Sequence, residues 1–174
     1  MSERCKSLGI PDHLFTNNRQ IINTFSPEEE IYRRFKASGT PEDWIKDKQL
    51  SAAVFPVDED SCNREKFSES CEDVLYNTRH EDEGNHYFDW GVLMFQAGEL
   101  NQFHNRITEK GVHRDFVIEL EHQPTECMYP HCIVNVLENG KKIDHKQPPR
   151  SIRALVRDIL IVKSTVVKYP IIDN

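Results

Sequence analysis

The sequence predicts an α+β fold: a mostly antiparallel sheet with about four short helices and an amphipathic C-terminal helix. Three observations predict it. Asp115-Phe-Val-Ile-Glu-Leu-Glu121 alternates apolar and charged residues, as a half-buried strand does, with Phe116, Ile118 and Leu120 on one side. His131-Cys-Ile-Val-Asn-Val-Leu137 reads as a second strand, and Asn139-Gly140 supplies the left-handed conformations of a tight hairpin, with Lys141 to Asp144 returning. Ile152, Leu155, Val156, Ile159 and Leu160 follow the three-and-four spacing of one helix face. At 174 residues the chain is long enough for one domain. Residues 1–20 are polar and weakly patterned, a loose arm by this reading, and 21–174 form a single domain.

The remaining elements follow in order. Ser26-Pro27-Glu28-Glu29 carries a helix start: a capping serine, a proline fitted to the first helical position and a glutamate able to close the cap. Ile31, Tyr32 and Phe35 would then face the core and Gly39 would end the helix. Thr40-Pro41-Glu42-Asp43 repeats the signal, with Trp44 and Ile45 as its apolar residues. Leu50 to Val57 reads as a strand closed by Pro56 and an acidic turn. Ser68 or Ser70 caps a short helix carrying Val74, Leu75 and Tyr76, and Asn77 to Asn85 is a loop. Tyr87 to Phe95 favours a strand, Ala97 to Asn105 a short helix, Gly111 a turn, Gln123 to Pro130 a loop and Val166 to Pro170 a closing strand.

Composition excludes several classes. No run of 18 apolar residues exists, so no helix is expected to span a membrane, and the first residues lack an apolar signal core. Five cysteines at irregular spacing therefore read as reduced thiols in a cytoplasmic protein. The net charge is −7, and the acidity is uneven: residues 1–100 hold 11 basic and 20 acidic side chains, residues 101–174 hold 11 and 9. A negative field disfavours sequence-independent nucleic-acid binding. With 7 glycines and no Walker loop, a glycine-rich phosphate cradle is not expected. Arg150, Arg153 and Arg157 form a basic row on the last helix that could grip phosphate or an acidic partner, or simply be solvated.

Two clusters could carry chemistry. His122, Cys127, His131 and Cys132 are four zinc-type ligands within eleven residues, although neighbours such as His131 and Cys132 on a strand point to opposite faces. The competing reading is a proline-bounded loop with a buried cysteine. Cys127 or Cys132 beside a histidine could also serve as a thiol nucleophile, or be packed.

Arg33-Arg34, Ser51 and Glu119/Glu121 stand in the order Arg, Ser, Glu-x-Glu. This resembles the order of functional residues in ADP-ribosyltransferases. The resemblance implies an arginine on dinucleotide phosphates, a serine shaping the nicotinamide pocket and a final glutamate polarising the ribose. The chain departs from that pattern by lacking a Ser-Thr-Ser strand, and the glutamates also fit the exposed side of an alternating strand.

Ile31-Tyr-Arg-Arg-Phe35, Leu50-Ser-Ala-Ala-Val-Phe55, Tyr129-Pro-His-Cys-Ile-Val134 and the helix from Ile152 to Leu160 together resemble an uncharacterised group of small bacterial proteins. Its members carry a Leu-Tyr-Arg-Arg opening, a Ser-Ser-Ala-Ala-Phe segment and a Pro-Ala-His-Ala strand before a last helix. This chain differs in having Cys132 after the histidine and long acidic insertions around Asp58 and Glu81. The resemblance nominates Arg33, Arg34, Ser51 and His131 as shared polar positions.

Three functional expectations result. The first is a binding or accessory protein whose partner is another protein, within a multi-gene system such as defence. The second is a small enzyme, a hydrolase or ADP-ribosyltransferase, centred on Arg34, Ser51 and His131. The third is an interaction module stabilised by zinc.

Overall fold

The computed structural model describes residues 3–36, 45–46, 49–50, 61–79, 85–109, 111–143 and 149–171. The helix α1 spans Glu3–Ser7. The strands are β1 Glu30–Phe35, β2 Ile45–Lys46, β3 Gln49–Leu50, β4 Ser61–Arg64 and β5 Gly91–Gln96. The helix α2 covers Ala97–Asn101. Next come β6 His104–Glu109, β7 Val112–His122, β8 His131–Glu138 and β9 Lys141–Lys142. The helix α3 runs Arg150–Lys163, and β10, Thr165–Lys168, follows it. One antiparallel sheet of eight strands has the order β10-β5-β1-β4-β8-β7-β6, with β9 also paired to β8, while β2 and β3 form a separate two-stranded ribbon.

The antiparallel α+β expectation therefore holds in outline. Instead of about four short helices, the described residues hold three α-helices and three 3-10 turns. The helix expected after Ser26 is instead β1. Ile31, Arg33 and Phe35 alternate inward with the period of a strand, and both edges of the segment are taken by β4 and β5. Local capping signals lost to these cross-strand hydrogen bonds, a tertiary override of propensity. The second helix start at Thr40, Trp44 and most of the Leu50 to Val57 strand lie outside the described residues.

Register assigns each side chain to one of two sheet faces. One face carries Ile31, Phe35, Cys62, Leu93, Phe95, Phe116, Ile118, Leu120, Cys132 and Val134, and all of these are buried in a single cluster. Ile152 and Leu160 of α3 lie in that cluster, with Val156 and Ile159 packed against it. Gly91 pairs with Phe35, and a β-carbon there would sit 2.4 Å from the Phe35 ring, so the close approach needs glycine. At the far end, Asn139 and Gly140 turn with φ of 50° and 75°, both left-handed as the β8-β9 hairpin requires.

The opposite face carries Tyr32, Arg34, Ser61, Asn63 and His131, brought into line by the pairs Tyr32↔Asn63 and Asn63↔His131. The short 3-10 helix Cys71–Leu75 lies against it, capped by Ser70 with Asp73 completing the box. Its Val74 and Leu75 pack with Val92 and, at the rim, Tyr32, Tyr87 and Trp90.

Residues 3–15, within the stretch expected to be a loose arm, carry buried apolar side chains. Cys5, Leu8, Ile10, Leu14 and Phe15 are buried with Cys127 and Met128 in a core of their own. Tyr129 donates its backbone N–H to Leu14, and Thr16 donates to Glu126. Cys5 and Cys127 form a disulfide, so the five cysteines are not all reduced; Cys62, Cys71 and Cys132 are outside any disulfide. Polarity had masked the segment because its apolar residues follow neither helix nor strand period.

Arg64 ties the next stretch down. It is wholly buried, donates Nε to Glu29 at 2.5 Å and Nη2 to Glu29 at 2.8 Å, and donates again to the carbonyls of Ile22 and Thr24. Its guanidinium stacks on Phe25 at 3.9 Å and Phe67 at 4.8 Å. A buried charge is tolerable only when paired and well hydrogen-bonded, and this one is paired with Glu29 and bonded at all three nitrogens.

Candidate functional site

Three adjacent strands, β1, β4 and β8, present polar side chains on the face away from the main core. Arg34 comes from β1, Ser61 and Asn63 from β4, and His131 from the start of β8. These four residues line one cavity of about 240 Å³. Its walls are the segment Val74 to Arg79 and, from the 123–130 loop, Thr125 and Met128. Strand alternation explains the grouping: Ser61 and Asn63 are two apart on β4, and Asn63 sits opposite His131.

His131 is half-buried and bound at both ring nitrogens. Nδ1 lies 2.6 Å from the carbonyl of Gln123, and Nε2 lies 3.0 Å from the hydroxyl of Ser61. A carbonyl can only accept, so Nδ1 carries the proton. In the neutral ring Nε2 is then an acceptor, and the Ser61 hydroxyl donates to it. Burial lowers the His131 pKa below its ordinary value; the Gln123 carbonyl opposes this and the Arg34 charge adds to it. The ring is thus neutral at neutral pH.

Arg34 and Asn63 add donors. The Arg34 guanidinium carbon lies over the Tyr87 ring, 4.5 Å from its centre, and Arg34 donates Nη1 to the Val74 carbonyl at 3.3 Å. Its buried Nε has no hydrogen-bond partner among the described residues. Asn63 is buried and donates its amide to the Met128 thioether at 3.2 Å, a weak acceptor. A serine hydroxyl bonded to an oriented imidazole beside such donors is the arrangement of an activated nucleophile.

Of the residues expected from the sequence, Arg34 and His131 converge in this cavity, and Ser51 lies outside the described residues. Arg33 is buried on the other face of β1. Ser61 and Asn63 were missed, because a four-residue polar strand after an acidic run offers no hydrophobic period to detect.

The expected zinc ligands are not gathered. Cys127 is spent in the disulfide. His122 accepts the Ile22 N–H on Nδ1 and donates Nε2 to the Tyr129 carbonyl, so both nitrogens are used. His131 is used likewise, and Cys132 faces the core with Cys62. Among the described residues, Cys5, Glu126 and Cys127 form a group of metal-type donors, but both its cysteines are the disulfide pair. The expected thiol nucleophiles fail for the same reasons. Burial drives the Cys132 thiol well above its usual pKa, which leaves it protonated. Nor do Glu119 and Glu121 line the cavity: Glu121 accepts from Asn135 and Lys142, each at 2.8 Å.

No family model matches the chain, and neither the curated proteins nor the solved structures contain a match to it.

His122 sets a pH dependence. It is buried among Phe67 and Tyr129, burial being the largest cause of its lowered pKa, and the Arg64 charge acts in the same direction. The unfolded chain binds a proton at this position near pH 6.5, where the folded chain does not. Stability is therefore complete above about pH 6.5 and falls as the pH drops through the folded value. His86 and His131 shift the same way. Urea midpoints compared at neutral and mildly acidic pH should decrease toward acid. A midpoint that rises on acidification would contradict the buried neutral histidines.

Proposed function

We propose that this protein is a small hydrolase or acyl-transfer enzyme in which Ser61 is the nucleophile and His131 the general base. The carrying observation is the continuous chain from the Gln123 carbonyl through the His131 ring to the Ser61 hydroxyl, open to a cavity. In this reading His131 Nε2 takes the Ser61 proton as the hydroxyl oxygen attacks an acyl carbon. The imidazolium then returns that proton to the leaving group, and the Gln123 carbonyl holds the ring in the required tautomer. Asn63 or Arg34 supplies a donor to the developing oxyanion. A backbone carbonyl replaces the usual carboxylate, so the imidazolium is less stabilised and modest turnover is expected. This departs from the ADP-ribosyltransferase alternative, which needs a catalytic glutamate in the pocket.

The test is covalent capture. An acyl- or phosphonyl-type serine probe should label the full chain at Ser61, as mapped by peptide mass spectrometry, and labelling should require His131. Labelling elsewhere, or equal labelling of Ser61→Ala, would remove the reading.

A second reading, a protein-binding component of a multi-gene bacterial system, is favoured by one surface. The edge strand β10 and its continuation expose Val167, Tyr169 and Ile171, with Val162 and Phe88 also exposed. An edge that no other described strand covers, with apolar side chains, suits strand addition by a partner. The disulfide favours an oxidising environment over the cytoplasm expected from the N-terminus.

A further inference from the structure

We propose that the cavity holds a small oxyanion, a carboxylate or phosphate group carried by the ligand, on the guanidinium of Arg34. This names a substrate class for the site described above, and it rests on the hydrolase reading only for the chemistry that follows binding.

Four observations carry it. The described residues lining the cavity include Arg34, Arg79 and His131 but no aspartate or glutamate, in a chain whose net charge is −7. Among the described residues the lining thus holds two arginine charges with no acid beside them, a local departure in a negative molecule, because surface arginines are readily neutralised by nearby acids. Second, the Arg34 Nε is buried and has no hydrogen-bond partner among the described residues. A buried guanidinium donor left unsatisfied costs free energy that a bound oxyanion would recover. Third, Arg34 is held in place. Its guanidinium lies on Tyr87 at 4.5 Å and its Nη1 reaches the Val74 carbonyl only at 3.3 Å, so the group is oriented while its hydrogen-bonding capacity is poorly used. Planar guanidinium is the side chain suited to carboxylate and phosphate. Fourth, neutral donors stand beside it. Asn63 spends its amide on a thioether, and Thr78 adds a hydroxyl to the lining.

The size agrees. About 240 Å³ holds a small anionic group with a short substituent, not a dinucleotide. In the catalytic reading the anion would sit on Arg34 while the scissile bond lies toward Ser61 and His131. The Arg34 charge already bears on His131, so an anion that neutralises it would raise the histidine's titration midpoint.

The experiment titrates inorganic phosphate and, separately, succinate into the full chain, following the His131 ring proton by NMR and affinity by calorimetry. At least one anion should bind saturably at one site and raise the His131 midpoint. Arg34→Met should weaken that affinity about tenfold or more, and Arg34→Lys by less, because a bidentate charge-assisted contact is lost in one and partly kept in the other. Urea midpoints of the variants report whether each is folded. Phosphate and succinate that both leave His131 unmoved at millimolar concentration would overturn the inference, as would a folded Arg34→Met chain that binds either anion as the parent does. An anion bound through Arg34 in a chain whose Ser61 is never labelled upholds the inference and removes the hydrolase reading. A labelled Ser61 in a chain indifferent to both anions does the reverse.

Discussion

His131→Ala should lower kcat for ester hydrolysis by about 10²- to 10⁴-fold, the usual worth of a positioned general base. The Ser61 hydroxyl has a very high intrinsic pKa and attacks slowly unless a base takes its proton in the same step. His131 Nε2 stands 3.0 Å away, within direct transfer distance, and the Gln123 carbonyl fixes the tautomer that leaves this nitrogen free. Ser61→Ala should lose at least as much. The double variant should be barely worse than either single variant, since the two residues act as one unit. Activity of the parent should fall on the acid side as His131 protonates, and its lowered pKa moves that limb below the ordinary histidine value near 6.5. Steady-state rates of the single and double variants across pH check all of this. Additive losses, or an acid limb that persists in His131→Ala, would assign the activity to another group.

Cys127→Ser, or reduction of the parent, should destabilise the fold by about 4–5 kcal/mol, as chain-entropy arguments give for loops of a hundred residues or more. The Cys5–Cys127 bridge joins positions 122 apart. The loss is a large share of the roughly 5–15 kcal/mol that a domain of this kind possesses. It falls unevenly. Residues 3–16 owe their burial to a small cluster shared with Cys127 and Met128, not to the main core. The segment should therefore become a target for limited proteolysis before the sheet unfolds. The same loop carries the Gln123 carbonyl and lines the cavity through Thr125 and Met128, so the reduced chain should also hold His131 less firmly. Urea unfolding with and without reductant, together with the position of the first proteolytic cut, measures both effects. An unchanged midpoint and an intact N-terminus after reduction would show that the bridge contributes nothing.

Which parts of this molecule were legible beforehand depends on whether the cause is local. The strand from Asp115 to Glu121, the Asn139-Gly140 hairpin and the capped turn after Ser70 each carry their reason within a few residues: alternation, a left-handed turn, a side chain able to cap. The sequence by itself therefore determined an antiparallel α+β body and nominated His131 and Arg34. Tertiary contacts decided the rest. Glu30–Phe35 holds a plausible helix signal, yet pairing with β4 and β5 made it a strand. That change matters for the site, because strand alternation sends Arg33 into the core and Arg34 into the cavity. Ser61 met His131 only through the register of two strands seventy residues apart in sequence. The N-terminal segment and the zinc-like cluster were resolved by a disulfide whose partners lie 122 positions apart. Short-range physics is written in short stretches of sequence, whereas pairing across long loops depends on the summed packing of the whole chain, which no single stretch records.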